Sequence, residues 1–537
     1  MNTRDAYKIR RERAAAQRYR SAPVGLARSR RRAGGMLPGA SARAQVDAPA
    51  AASTAAAAAS APQVDAPVVC ETLPERSCRH PLADLRANAE LAHCEEAITG
   101  RFDAIVPALK KLSAMQHEAD FEARAQALAH NELGYALPEE VLRNAWINGL
   151  DVRRLYAHCT FEALRASVAQ FSENLRAQAD RGLDAQNFLL ECGFHSVNIS
   201  PCADGRLKGF LKYVLRLPLT ALAVRKAYAG ALFDVEEDIA HWQSVELARY
   251  REGYPTPPEA GSRYLKIAVY HTSSSDPEHQ GCAAHGSDER KAAEAALQRL
   301  VEFREAIENS FCCGASVDIL LIGVDTDTDA IRIHVPDARG EMALDRFVDN
   351  AALYRDTLHL DADRARVAVH AAVEAAAGEA GAPHEGMRRF IARLLINNIS
   401  QIEYVSDLYG GRYPDIGHAE RYISVGDGFE EVQLRNLAYY AHLDTVEEGA
   451  ADLDVGIRIF SKLNLSKGLP IPIAIHYRYD LKVPGSRQRM AEKCRRVRDA
   501  IMARYPQLAR RNDIICQMSL QDRTLGSPVE VLQEDVA

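Results

Sequence analysis

The sequence predicts an α/β protein: a mainly parallel sheet with flanking helices, preceded by an all-α domain and followed by a degenerate second copy of the sheet domain. Three observations predict it. Apolar runs at Val197–Ser200, Tyr264–Tyr270, Val317–Gly323 and Ile331–Val335 read as strands, and a long helix from Ser287 to Asn309 separates two of them. Strand-helix-strand order favours parallel pairing. Upstream, residues 69–172 carry helical spacing. Downstream, Ile267-Ala-Val-Tyr-His271 has an echo in Ile473-Ala-Ile-His-Tyr477. A chain of 537 residues is long enough for three or four domains, and the expected divisions are 1–68, 69–172, 173–397 and 398–537.

Residues 1–68 read as a disordered basic arm and an Ala/Pro-rich linker. Residues 1–35 hold eleven Lys/Arg against Asp5 and Glu12, a balance of +9. The overall charge is -7, so the remainder carries -16. Gln-Val-Asp-Ala-Pro occurs twice, at Gln45–Pro49 and Gln63–Pro67, and large apolar residues are too few to offset chain entropy. An Arg-rich, acid-poor N-terminus also suits an organelle transit peptide or a nucleic-acid-binding arm. The reading preferred here is a docking arm for an acidic protein surface, with Tyr7 and Tyr19 as anchors. No eighteen-residue apolar run exists, and we expect neither a membrane nor a nucleic-acid partner.

In residues 69–172, Pro81 is expected to open one helix. Pro138 sits in the first turn of another, with Glu139 and Glu140 behind it. Phe161, Leu164, Val168, Phe171 and Leu175 fall at helical spacing, with Arg181-Gly182 as the stop. No catalytic pattern appears, so packing or assembly is the expected role. In residues 173–397, Asp325-Thr-Asp327-Thr-Asp329 lacks the sixth-position Gly and the twelfth-position Glu of a calcium loop, Pro336 standing at the latter. It reads as a polar turn. Eleven cysteines, an odd number, suggest a reducing compartment, with Cys312-Cys313 as buried thiols.

The chemistry concentrates in Asn198-Ile-Ser-Pro-Cys202-Ala-Asp204-Gly-Arg206, a strand that breaks at a proline into a Cys-x-Asp-x-Arg turn. A second strand ends in Tyr270-His271, and its following loop carries Cys282. Cys202, His271 and Cys282 make a three-ligand Zn2+ site with one open position, the catalytic pattern. Asp204 can point at what the metal holds, and Arg206 can pin Asp204 and keep it ionised. His279 is a competing ligand, since His279-Gln-Gly-Cys282 has His-x-x-Cys spacing; the strand-end position favours His271. His195 reads as a core histidine, and His418, in a Gly-rich loop, as a residue able to face the site. In the second copy Cys202 has no counterpart, Tyr477 matches His271 and the Cys282 loop is missing, so that copy would persist for packing. A zinc nucleobase deaminase would need H-x-E and P-C-x-x-C, and the second Cys is absent after Cys202.

Cys-x-Asp-x-Arg with a strand-end His and a loop Cys resembles the β-class carbonic anhydrases. The runs FHSVNISPCADGR, IAVYHTSSSDPEHQGCAAHG and GVDTDTDAIRIHVPDARG are similar, more narrowly, to the carboxysome shell carbonic anhydrases, a divergent (ε-class) branch. The resemblance runs from about residue 70 to the end. It implies a β-carbonic-anhydrase-like fold, one Zn2+ per chain, and interconversion of CO2 and bicarbonate. Hydroxide formed at zinc would attack CO2, and the Asp204–Arg206 dyad would orient the water. In that branch the His and Cys lie further apart, which matches His271. It further implies a place in the carboxysome, inside the bacterial cytoplasm, at the inner face of the shell or in the lumen. Rubisco or shell proteins would be partners through the basic arm, and the chain would form a homodimer or higher homo-oligomer. β-Class enzymes bury their sites at dimer interfaces, so a fused inactive half could stand in for a partner subunit. The alternative is a non-catalytic scaffold with a structural zinc, for which Cys192 or His285 would supply a fourth ligand.

Overall fold

A computed structural model describes residues 79–532, apart from 178, 218–222, 252, 254–262, 311–315, 415–418, 430, 442, 444–449 and 525–526. The basic arm, its linker, Cys312-Cys313 and His418 lie outside the described residues. Those that are described belong to one unit, 67–537.

The first part is helical: α1 (Leu85–Asp103), α2 (Ile105–Met115), α3 (Phe121–Glu132), α4 (Val152–Ala177) and α5 (Ala179–Glu191), with two short helices between α3 and α4. Pro81 lies in a turn and does not open α1. Asp84 does, its carboxylate accepting from the Ala87 N–H, because a carboxylate satisfies an orphan helix donor and a proline cannot. Arg181-Gly182 does not stop the helix either; α5 runs through it. One internal glycine costs only about 1 kcal/mol, and the chain turns instead at Gly193, where φ is +87°.

The first sheet has strand order β2-β1-β3-β4-β5-β6: β1 (Phe194–Pro201), β2 (Ala223–Arg225), β3 (Arg263–Thr272), β4 (Ser316–Asp325), β5 (Ile331–His334) and β6 (Phe347–Asp349). The first four are mutually parallel, and β5 and β6 are antiparallel. The polar turn at Asp325–Asp329 is the β4–β5 hairpin. Between β2 and β3 runs α6 (Val235–Arg251), and α7 (Glu289–Ser310) packs on β3 and β4. Both faces of the sheet are covered, so β1, β3 and β4 read as near-continuous apolar runs; Ile199, Ile267, Leu320 and Ile322 are wholly buried. Then follow α8 (Asn350–Thr357), α9 (Ala362–Ala377) and α10 (Glu385–Tyr409). The last is one helix through position 397, where the sequence reading places a division; no Gly or Pro interrupts it there.

The second sheet has order β11-β10-β9-β7-β8: β7 (Tyr422–Gly426), β8 (Ala438–Ala441), β9 (Ile471–Tyr479), β10 (Ile514–Asp522) and β11 (Val529–Val531), with α11 (Ala450–Leu463) and α12 (Ser486–Arg504) as its helices. Strands β7 to β10 are parallel and β11 is antiparallel. The protein is therefore mixed α/β with two sheets and an N-terminal helical region. No described helix is long and apolar enough to cross a membrane.

Candidate metal centre

Strand β1 ends at Pro201, which has no N–H to continue a ladder. The chain nonetheless stays on the sheet for one more residue: Cys202 donates its N–H to Val269 O at 3.0 Å and forms a parallel bridge with Tyr228. Asp204 then caps a short 3-10 turn, Gly205–Leu207, its Oδ1 accepting from Arg206 N at 2.9 Å. Gly205 allows a close approach: a Cβ there would fall 2.5 Å from Cγ of Glu420, which would have to shift. Next along the sheet, β3 delivers His271 at its C-terminal end, in register with Val324 of β4. The loop after β3 folds back to bring in Cys282.

The ligand atoms of Cys202, His271 and Cys282 lie within 4.8 Å of one another, and all three residues are buried. The two sulfurs are 3.9 Å apart. Two sulfurs bound at about 2.3 Å to one tetrahedral zinc would lie roughly 3.8 Å apart. The Cys202 thiol is pushed well up, by its hydrogen bond to Cys282 and by burial, while the same bond pulls Cys282 down. The two sulfurs face each other across the place a cation would take. His271 Nδ1 is buried and makes no hydrogen bond among the described residues. The donor set fits zinc.

Asp204 and Arg206 stand beside it. Arg206 Nε donates to Asp204 Oδ1 at 2.9 Å and Nη2 to Oδ2 at 2.8 Å, a bidentate, charge-assisted pair. Asp204 Oδ2 lies 3.4 Å from His271 Nε2. Burial is the largest single influence on the Arg206 pKa and lowers it, but the charge and hydrogen bonds of Asp204, with the charges of Glu420 and Cys202, together outweigh it and the net shift is upward.

The other candidates fall elsewhere. The His279 side chain is 76% exposed and pairs with Asp276 at 2.8 Å. His285 Nε2 meets Gly230 O at 3.3 Å, and neither His285 nor Cys192 joins the group of three. His195 Nδ1 accepts from the Arg263 N–H at 3.4 Å. Sequence reasoning missed the residues that hold Arg206 from behind, the Gln280 carbonyl at 2.8 Å and Thr326 Oγ1 at 3.1 Å. It also missed the cover from the C-terminal part. Asn436 N donates to Gly205 O at 2.9 Å, and Glu420 packs on the turn and acts on Arg206 by charge.

A mainly parallel sheet that gathers a strand-end thiol, a strand-end imidazole and a loop thiol, with an Arg-held carboxylate alongside, defines an α/β protein with a buried group able to hold a metal ion. Comparison with known proteins narrows the class. Residues 80–172, 184–418 and 419–536 match the N-terminal, catalytic and C-terminal families described as Carboxysome Shell Carbonic Anhydrase. A carboxysome shell carbonic anhydrase of Halothiobacillus neapolitanus is 57% identical over 477 residues, covering 87% of this chain and 93% of its own. The protein of that name from Parasynechococcus marenigrum is 49% identical, covering 87% of this chain and 81% of its own. That from Hydrogenovibrio crunogenus is 45% identical, covering 84% and 86%. The chain belongs to the carboxysome shell carbonic anhydrase family, and it is a carbonic anhydrase.

Proposed function

We propose that the chain interconverts CO2 and bicarbonate at one Zn2+ held by Cys202, His271 and Cys282, inside the carboxysome. There bicarbonate must become CO2 beside Rubisco, so dehydration would be the main direction. The observation that carries the reading is the buried group of two thiols and an imidazole next to an Arg-clamped carboxylate. Zinc, when bound, supplies a Lewis acid that brings the pKa of a water towards neutrality. The chain's own residues do the rest. Asp204, held ionised, accepts a hydrogen bond from the reacting water and orients it. Arg206 occupies both carboxylate oxygens, which keeps Asp204 from becoming a fourth ligand. Three protein ligands leave a position open, as catalysis requires.

The C-terminal part would be a degenerate copy of the catalytic fold. Its support is the shared strand pattern: 2-1-3-4 with an antiparallel neighbour in one sheet, 8-7-9-10 with an antiparallel neighbour in the other. Without ligands of its own, it would cover the site through Glu420 and Asn436. Residues 1–35 would dock on Rubisco or a shell protein, and the chain would assemble as a homodimer or higher homo-oligomer. A CO2 hydration assay with and without a chelator, beside a count of zinc per chain, tests the reading. Activity that tracks zinc supports it. A chelated, zinc-free protein at the full rate would overturn it, and a zinc-loaded but inactive protein would favour the scaffold.

A further inference from the structure

We propose that Thr326, in the hairpin turn between β4 and β5, is a positioning residue for the reaction: its hydroxyl fixes the plane of the Arg206 guanidinium and, through it, the carboxylate of Asp204. The inference rests on the dyad assignment above. Arg206 has five N–H donors and no acceptor. Its Nε and Nη2 donate to Asp204, Nη2 also meets His271 Nε2 at 3.4 Å, and Nη1 donates to Gln280 O and Thr326 Oγ1. Thr326 must therefore accept from Arg206. Its single hydroxyl proton goes the other way, to Thr272 O at 2.9 Å, and its backbone N–H bonds to that same carbonyl at 2.9 Å. Thr326 is wholly buried, so no solvent can replace it.

The connections give this hydroxyl more leverage than one hydrogen bond suggests. Thr272 is the residue after His271, and Gln280 is two residues before Cys282. One guanidinium thus ties the Asp204 turn to the end of β3 through Thr326 as well as by its contact with His271, and to the Cys282 loop through Gln280. The same hairpin anchors the start of that loop, since Asp327 accepts from Ser275 N and Oγ, both at 2.6 Å, and from Ser273 Oγ at 3.0 Å. A Thr326 chain without its hydroxyl would strand a buried Arg N–H, which costs free energy. The guanidinium would relieve this by rotating, carrying the Asp204 oxygens with it.

Thr326→Val removes the hydroxyl and keeps the volume; Thr326→Ser keeps the hydroxyl and removes a methyl. The two are to be compared for kcat, KM, zinc per chain and thermal midpoint, with Asp204→Asn alongside. We expect Thr326→Val to hold one zinc and to lose roughly 10- to 100-fold in kcat, the scale of a small misplacement, with KM little changed. Thr326→Ser should restore most of the rate. Packing alone predicts the reverse order, because serine leaves the larger void. Equal rates for the two, a serine slower than the valine, or zinc loss in the valine would overturn the proposal. If the valine chain does not fold, Thr326→Ala against Thr326→Ser reads the same hydroxyl. A slow Asp204→Asn beside a normal Thr326→Val overturns this inference alone, whereas a normal Asp204→Asn overturns the dyad reading and this inference together.

Discussion

Glu420 lies against the bare Cα of Gly205, so that a Cβ on that glycine would meet Glu420 Cγ and Oε1, each at 2.5 Å. Glu420 is only 3% exposed and has little room to swing aside. Gly205→Ala should therefore push the C-terminal cover off the Cys-x-Asp-x-Arg turn, at a cost of about 1–3 kcal/mol for overpacking. The expected outcome is a lower thermal midpoint together with reduced CO2 hydration. A Gly205→Ala protein with normal midpoint and rate would show that the contact is slack and that the C-terminal part does not brace the site.

Asp204→Asn should keep zinc and lose activity. The amide retains the shape but gives up a charged acceptor, and a positioned proton acceptor contributes on the order of 10²-fold or more. Zinc analysis and stopped-flow hydration on one preparation check both halves. Wild-type turnover at full zinc would reduce Asp204 to a turn residue.

Cys202→Ser should lose most of the zinc, and His279→Ala should keep it, since His279 faces solvent on the Asp276 side of its loop. Metal content read by atomic absorption decides. Zinc lost on His279→Ala and kept on His271→Ala would reverse the assignment of the imidazole ligand.

Much of this site was legible in the sequence because strand ends are legible. Val197–Ser200 and Tyr264–Tyr270 read as strands that stop abruptly, and chemistry-bearing residues stand where they stop. What lay hidden depends on contacts between segments far apart in the chain. Glu420 reaches Gly205 across more than two hundred residues, and no local pattern marks such a pair. Thr326 stood in a run read as a turn, correctly, yet a turn's composition does not say which hydroxyl faces inward. The helix boundaries missed at Pro81 and Gly182 have a simpler cause: the Asp84 cap, not the proline, opens α1, and one glycine near the start of α5 was too weak to break it.

The basic arm should serve location and not chemistry. A chain beginning at Val68 lacks the +9 segment and should hydrate CO2 at the full-length rate. It should fail to co-sediment with purified Rubisco at low salt, where the full-length chain does. Binding through several exposed charges weakens as salt rises, the Debye length being about 8 Å at physiological ionic strength. Equal co-sedimentation of both chains would move the tether to the helical or C-terminal part.

Acid should destabilise the protein progressively from near pH 6.5 downward, because three histidines are buried in neutral form. His80 bonds to Thr357 Oγ1 at 2.9 Å, His334 Nε2 to the Tyr270 hydroxyl at 2.9 Å, and His476 Nδ1 to Ser519 Oγ at 3.0 Å. Burial lowers them to about 4, about 4 and about 3 from an ordinary 6.5. Below pH 6.5 the unfolded chain takes up protons at all three while the folded chain takes up none until near pH 4. The unfolded state then binds more protons, and stability falls as pH falls across that window. Three protons at about 1.4 kcal/mol per pH unit each set an upper slope of about 4 kcal/mol per pH unit. Above pH 7 these groups contribute no slope. Urea unfolding followed from pH 8 to pH 5, with proton uptake measured by calorimetry in two buffers, gives the number directly. A curve flat to pH 5 would mean that these imidazoles are solvated or charged in the folded protein, and that the interior around His476 is more open than its burial implies.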